Sequence, residues 1–273
     1  MQNFFFHHSL LIGDLIYALP GIQQVSRSYR NQFAPSGDPF SGKAVIQLHL
    51  NQVWPMADAI MRRNGITLTE DDFNNMSPLL MAQDYIADVV RYQDDMPFHI
   101  NLDDVMGKYG DDLNIPYGCI SRWWSMVWPD MACDLSKRWL IAGEEPETKG
   151  MIVLNRSARS HNPNINYSFL KKYQSQIIFL GLEDEWMSFQ KVFDLSVTHY
   201  KIRDFYHMAC VINSAKFFIG NQSFPFALAE GLKVPRMLEI YYTLPHVIPT
   251  GENAFDFCYT DAAKFYVERF IRK

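Results

Sequence analysis

Short apolar runs alternate with helix-forming segments through the second half of this sequence. Runs such as MIVLN, QIIFLG and KFFIG have the length and composition of buried strands, and apolar residues recur at helical spacing between them. This alternation predicts a parallel sheet covered by helices. The chain opens in the same way, since the strand-like NFFFH precedes a helix predicted from Asp14 to about Tyr29. We therefore expect an α/β fold with two Rossmann-like domains facing a cleft.

The chain has 273 residues, which is enough for two modest domains at roughly 100–200 residues each. Segment 142–150, AGEEPETKG, is charged, contains proline and ends in glycine, as connections between domains often do. We expect an N-terminal domain over 1–143 and a C-terminal domain over 150–273. Between about 30 and 140 the patterns that indicate helices and strands are weaker. Residues 33–43 are predicted to form a loop, and residues 77–92 are predicted to form one helix capped by Ser77. The tryptophans of WWSMVW are predicted to be packing residues.

Composition excludes several classes of protein. No apolar run approaches the roughly 20 residues of a membrane span, and no basic signal region precedes the first strand, so we expect a cytoplasmic protein. The four cysteines form no zinc-type motif, and the adjacent His7 and His8 would point in opposite directions on a strand. We predict reduced cysteines, no metal and no cofactor.

Charge is unevenly distributed along the chain, although the net value is only −5 and argues against nucleic-acid binding. Segment 58–112 has 12 acids and 4 bases, a balance of −8, whereas segment 150–273 has 14 bases and 11 acids, a balance of +3. The acidic excess is typical of a solvated face. The basic excess suits a phosphate-bearing ligand in the C-terminal half.

The segment LIGDLIYALPG, residues 11–21, places Gly13 and Asp14 where a strand gives way to a helix. The carboxylate of Asp14 either caps the helix or is a reactive group at the carboxyl end of a strand, where open α/β sheets bind ligands. His8 and Ser9, in the preceding loop, are candidates for the same site.

The segment FFIGNQSFPFALAEGLKVPR, residues 217–236, resembles a strand that turns into a helix at an anion site. Gly220 permits close approach, and the polar side chains of Asn221, Gln222 and Ser223 precede a helix whose dipole favours phosphate. An ordinary capped turn is the alternative. Glu230, two turns into the helix, is a candidate for ribose hydroxyls or for a surface or helix-pairing role.

A second polar loop follows the first strand of the C-terminal half, LNRSARSHNPNINY, residues 154–167. Asn155 ends the strand, and the guanidinium groups of Arg156 and Arg159 can bind a diphosphate in bidentate fashion. Basic loops are usually only solvated. The C-terminal half has two such loops, each at the end of a strand and each with groups that can bind phosphate. Together they indicate a phosphate site more strongly than either loop does alone.

These motifs resemble those of heptosyltransferase-like glycosyltransferases. GDLIYALPGI is similar to the Gly-Asp-x-x-x-x-x-Pro element of the family's N-terminal domain, and FIGNQSFPFALAEGLKVPR is similar to its donor-site segment, although Gln222, Phe224 and Phe226 replace the family's acidic residue, glycine and histidine. The resemblance implies the two-domain GT-B fold. It covers the two ends of the chain and the strand and helix rhythm of the C-terminal half.

The resemblance also implies an activity: transfer of a sugar from a nucleotide-sugar to a hydroxyl of a glycan, lipid-linked or other acceptor, with inversion and without metal. Asp14 matches the family's general base. The Gln222–Ser223 turn matches the family's diphosphate-binding site, and Arg156 or Arg159 matches the basic residue that stabilises the negative charge of the leaving group. The alternative is a catalytically silent relative that binds a nucleotide or sugar as a partner module. A dinucleotide-dependent oxidoreductase is disfavoured because G-x-G-x-x-G is missing.

Overall fold

The computed structural model describes residues 1–33, 36–54, 64–109, 119–241 and 246–272. Two of the segments discussed above lie partly outside the described residues. These parts are residues 34–35 of the predicted loop 33–43, and residues 58–63 and 110–112 of the acidic segment 58–112. The chain divides into two compact units, Met1–Leu135 and Ser136–Lys273. The division falls before segment 142–150, and in that segment the N–H of Glu145 donates to Ser214 Oγ of the second unit at 2.6 Å.

The first unit has a parallel sheet in the order β3-β2-β1-β4. Its strands are β1 Gln2–His8, β2 Phe40–Leu48, β3 Ile86–Arg91 and β4 Ile100–Asn101, and its helices are α1 Ile12–Ser28, α2 Glu70–Met81, α3 Asp104–Tyr109 and α4 Trp123–Val127. Strand β1 and helix α1 confirm the two elements predicted at the start of the chain. The tryptophan cluster packs as expected at Trp124, which is buried and donates its indole N–H to Leu102 O.

The single helix predicted over 77–92 is wrong, because this segment spans the end of one helix and a strand. Helix α2 begins earlier, where Thr69 and Asp72 form a capping box that satisfies backbone N–H groups in both directions. Ser77 lies inside the helix and donates to Phe73 O at 2.7 Å. The apolar residues of β3 form a strand because they pair in parallel with β2.

The second unit has a six-stranded parallel sheet in the order β10-β9-β8-β5-β6-β7. Its strands are β5 Ile152–Asn155, β6 Ile177–Phe179, β7 Thr198–His199, β8 Phe217–Asn221, β9 Arg236–Glu239 and β10 Ala254–Phe257. Its α-helices are α5 Glu183–Phe193, α6 Phe205–Asn213, α7 Phe224–Leu232 and α8 Thr260–Arg272, and a 3-10 helix covers Tyr167–Gln176. With the strands numbered within this unit, the order is 6-5-4-1-2-3, which is the strand order of doubly wound Rossmann folds. It confirms the prediction that the C-terminal half forms a Rossmann-like domain.

Side chains from both elements explain why the alternating segments fold this way. One face of the second sheet packs Ile152, Leu154 and Phe217 against Phe189 of α5 and Val267 of α8 in one hydrophobic core. Burial of this apolar surface drives the layers together. All four cysteines are free, and Cys119 and Cys210 are buried.

Candidate functional site

In the first unit, strand order reverses between β1 and β4, which is where open α/β sheets bind ligands. The loop after β1 carries Ser9, and the turn after β4 carries Asp103. The N–H of Ser9 donates to both carboxylate oxygens of Asp103, at 3.1 and 2.9 Å. Thr67 Oγ1 also donates to Ser9 O. These bonds fix the loop at the carboxyl edge of the sheet.

His8 is the last residue of β1 and is fully buried beside this loop. Its Nε2 lies 3.2 Å from Leu11 O, and its Nδ1 lies 3.4 Å from Asp103 Oδ1. Burial opposes protonation, but Asp103 and Asp14 together raise the pKa of His8 above its usual value. Burial also opposes ionisation of Asp103, yet His8 and the Ser9 N–H lower the pKa of that carboxyl.

Asp14 is the third residue of α1 and is partly exposed. The N-cap position belongs to Leu11, which has no capping side chain, and the N–H of Asp14 donates to Leu11 O at 3.0 Å. Asp14 therefore does not occupy the N-cap, which is the role that a purely structural interpretation assigned to it. Its negative charge in the first turn is still favourable to the helix dipole.

Several polar residues of this edge were missed from the sequence. His7 Nδ1 lies 3.0 Å from Asn101 Oδ1, and His7 Nε2 lies 3.4 Å from His49 Nδ1. Asn101 ends a strand of only two residues and Asp103 follows it, and so short a strand is not recognised by alternation. The available signal was the polar sequence Asn-Leu-Asp-Asp directly after an apolar residue.

In the second unit, strand order reverses between β5 and β8, and two of the predicted donor-site residues, Asn155 and Ser223, meet there. Asn155, at the end of β5, accepts a hydrogen bond from Ser223 Oγ at 2.7 Å and donates to Leu180 O at 2.6 Å. Ser223 is the N-cap of α7 and also accepts from Phe226 N–H at 3.4 Å. The two predicted loops are thus joined by direct side-chain bonds at a helix N-terminus.

Asn221 holds the loop after β5 in place. Its buried side chain accepts from Ser157 N–H at 2.9 Å and donates to Arg159 O at 2.6 Å. The side chain of Arg159 is exposed, and Gln222 is partly exposed in the turn before α7. Of the two arginines predicted to bind phosphate, Arg159 is the one whose side chain is exposed to solvent on this loop.

Arg156 lies instead in a buried ion pair with Glu239, the last residue of β9. Its Nε is 2.9 Å from Glu239 Oε2, and it also donates to Asn162 O at 2.9 Å. Glu239 is fully buried and accepts from Tyr167 OH at 2.7 Å. The guanidinium predicted to bind phosphate is therefore engaged by the protein's own carboxylate.

Glu230 also lies away from the predicted donor turn. Helix α7 runs back from the carboxyl edge of the sheet, so a residue two turns along it has moved toward the opposite edge. There the buried Glu230 pairs with Lys233 and with Arg236, the first residue of β9, and accepts from Thr250 Oγ1 at 2.8 Å. This geometry does not support a ribose contact from Glu230.

Two glycines of the predicted sites differ in the space around them. A Cβ at Gly220 would lie 2.7 Å from Phe218 Cε1 and 3.1 Å from Asn155 O, whereas a Cβ at Gly13 would have no atom within 4 Å. We expect Gly220→Ala to lower the free energy of unfolding by about 1–3 kcal/mol through overpacking. Gly13→Ala should leave it unchanged or raise it by up to about 1 kcal/mol. Urea denaturation of both variants measures this, and equal stabilities would contradict it.

Among the described residues, no helix is long and apolar enough to cross a membrane. The same part of the chain contains no group of three or more His, Cys, Asp or Glu side chains arranged to hold a metal ion.

No family model matches the sequence, and no curated protein matches it. Solved structures do. E. coli heptosyltransferase WaaC with ADP is 10% identical, over 99% of this chain and 98% of that chain, with a TM-score of 0.55. WaaC with ADP-2-deoxy-2-fluoro heptose is 9% identical, over 98% and 99%, with a TM-score of 0.56. E. coli ADP-heptose lps heptosyltransferase II is 11% identical, over 99% and 98%, with a TM-score of 0.52. These similarities confirm the predicted heptosyltransferase-like GT-B fold.

Proposed function

We propose that this protein is a glycosyltransferase that moves a sugar from a nucleotide-sugar to a hydroxyl of an acceptor, with inversion and without a metal. The observation that carries the proposal is the similarity of fold, over nearly the whole chain, to a heptosyltransferase solved with ADP and with an ADP-2-deoxy-2-fluoro heptose. Because fold alone does not fix function, the proposal also depends on the residues at the two strand-order reversals.

The donor diphosphate is proposed to bind at the start of α7, between the ends of β5 and β8. Ser223 already satisfies the Phe226 N–H, and Pro225 has no N–H, so the Phe224 N–H is the remaining donor of the first three helical residues. The helix dipole and the exposed Arg159 favour the same negative charge. Arg159 thus takes the role that the sequence left open between two arginines.

The acceptor is proposed to bind at the carboxyl edge of the first sheet, beside His8, Ser9 and the open space at Gly13. Asp14 removes the proton of the acceptor hydroxyl as its oxygen attacks the anomeric carbon. The bond from that carbon to the diphosphate breaks, and its electron pair leaves with the nucleoside diphosphate. Attack from the face opposite the leaving group inverts the anomeric centre.

A silent nucleotide- or sugar-binding relative is the second candidate, and two observations favour it. Arg156 is withdrawn from the donor turn by Glu239, and Pro225 removes one N–H from the first turn of α7. Both reduce the groups available to a leaving diphosphate. Such a protein would bind the nucleotide without turning it over.

Calorimetric titration with nucleoside diphosphates and their sugars tests the donor site. We expect binding by the wild type and a loss of about 1.5–3 kcal/mol in Arg159→Met, because one charge-assisted contact disappears. Lys201→Met, an exposed basic residue paired with Glu183, is the control and should bind as the wild type does. No binding of any nucleotide, or equal affinity in Arg159→Met, would contradict this site.

A further inference from the structure

The buried ring of His8 lies between the Leu11 carbonyl oxygen, at 3.2 Å from Nε2, and the Asp103 carboxylate, at 3.4 Å from Nδ1. We infer that His8 is held as an imidazolium and acts, together with Asp103, as a positioning residue that keeps Asp14 placed and ionised. The inference rests on the proposed function for its catalytic consequence, but the protonation state of His8 stands independently of it. His8 is fully buried, so it acts through other groups and does not contact the reacting atoms.

The hydrogen-bonding partners determine the protonation of the ring. Nε2 lies 3.2 Å from Leu11 O, and a carbonyl oxygen only accepts, so Nε2 carries a proton. Nδ1 faces Asp103 Oδ1 at 3.4 Å. Asp103 accepts from the Ser9 N–H with both oxygens, as an ionised carboxylate does. Nδ1 makes no hydrogen bond with the described residues, but a bare Nδ1 would place its lone pair 3.4 Å from that carboxylate, so the contact favours a protonated Nδ1.

Charged and titratable groups around the ring support a cation at this position. Asp103 approaches from the turn after β4, and Asp14 approaches from α1 and also favours the charged form of His8. On the strand side, His7 Nδ1 lies 3.5 Å from Asp103 Oδ2 and 3.0 Å from Asn101 Oδ1. Asn101 Oδ1 also accepts from the Asp103 N–H at 3.1 Å, so it is an acceptor and His7 Nδ1 donates to it.

His49 completes the set at the end of β2. Its Nδ1 lies 3.4 Å from His7 Nε2, and burial and the neighbouring His7 lower its pKa. His8 is the ring of this cluster whose charged form both Asp103 and Asp14 favour.

Two consequences for Asp14 follow from this arrangement. The His8 ring binds Leu11 O at the N-cap of α1, so it links the start of the helix that carries Asp14 to Asp103 on the neighbouring strand end. Its positive charge also favours the ionised form of Asp14, which is the form that accepts a proton. The ion pair of His8 and Asp103 thus positions Asp14 at the carboxyl edge of the first sheet.

Nitrogen-15 NMR of the histidine side chains in the wild-type protein tests the protonation state without any variant or substrate. We expect both nitrogens of His8 to be protonated at and above pH 6.5, where an ordinary histidine is half neutral. His99 is the internal reference: its Nδ1 accepts from Phe5 N–H at 3.0 Å, and burial lowers its pKa. A His8 ring that loses its proton at the same pH as His99 would overturn the inference.

The pH profile of sugar transfer tests the effect on Asp14. In His8→Gln, which keeps a donor for Leu11 O but has no charge, the acid side of the profile should move up by about one pH unit, a tenfold loss of rate there. His8→Gln combined with Asp103→Asn removes both charges and should move the profile back toward that of the wild type. His99→Gln should leave it in place. An unshifted profile in His8→Gln, or no recovery in the double variant, would reduce His8 to a packing residue.

Discussion

Arg156→Met is expected to lower the free energy of unfolding by about 3–5 kcal/mol, because it leaves the Glu239 carboxylate buried without its cation. Glu239 has no exposed surface and lies at the centre of a network that joins the end of β9 to the segment after β5. The carboxylate accepts from Arg156 Nε at 2.9 Å, from the Asn162 N–H and from Tyr167 OH. Removing the guanidinium leaves only neutral donors around the negative charge.

Neighbouring groups show how much this network depends on the arginine. Burial, followed by the charge of Glu239, raises the pKa of Tyr167 well above its usual value, so the phenol remains a donor. The guanidinium also packs 5.5 Å from the centre of the Tyr167 ring and 5.3 Å from that of Phe193. Methionine retains part of this packing, so the expected loss is mainly electrostatic.

Arg159→Met is the matched control, since it makes the same substitution three positions along the same loop at an exposed side chain. Its free energy of unfolding should stay within about 0.5 kcal/mol of the wild type, as is usual for surface positions. Urea denaturation without nucleotide measures both variants. If Arg156→Met is as stable as Arg159→Met, the ion pair does not hold this part of the second unit together.

The fold was predictable because the sequence repeats one local pattern. Apolar runs of strand length alternate with amphipathic helices, and that pattern has few solutions besides a parallel sheet covered by helices. Strands β7 and β4 were missed because each has only two residues. The helix predicted over 77–92 failed because the capping box at Thr69 and Asp72 was overlooked, although both residues are visible in the sequence.

The candidate site was predictable only where its residues are neighbours in the chain. The Gly13–Asp14 turn and the Asn221–Ser223 turn were found because each lies in one short motif at the end of a strand. The partner of Arg156 is 83 residues away, and the partner of Ser9 is 94 residues away. Such pairs are determined by the order of strands in the sheet, which the sequence pattern does not specify.

Asp14→Asn is expected to lower the rate of sugar transfer by about 10²–10⁴-fold, the usual contribution of a general base. Asparagine has nearly the same shape as aspartate and can accept the same hydrogen bonds, but it cannot take a proton from the acceptor hydroxyl. Leu11 and not Asp14 is the N-cap of α1, so the substitution leaves the N-cap residue unchanged. It loses a favourable interaction with the helix dipole, about 0.3–1 kcal/mol, and the charge interaction with His8.

Nucleotide affinity should be unaffected by the same change. The proposed donor site is built from the second unit, at Arg159 and the turn before α7, and Asp14 belongs to the first unit. Asp104→Asn is a suitable control, since it is another partly buried acid in the first turn of a helix in that unit. It should transfer sugar as the wild type does.

Release of nucleoside diphosphate from nucleotide-sugars, measured with and without hydroxyl acceptors, is the most direct test of sugar transfer by this protein. The wild type should release the diphosphate in an acceptor-dependent way, and Asp14→Asn should bind the donor equally well but release about 10²–10⁴-fold less. Donor binding without any acceptor-dependent release by the wild type, or equal release by the wild type and Asp14→Asn, would contradict a glycosyltransferase that uses Asp14 as its base.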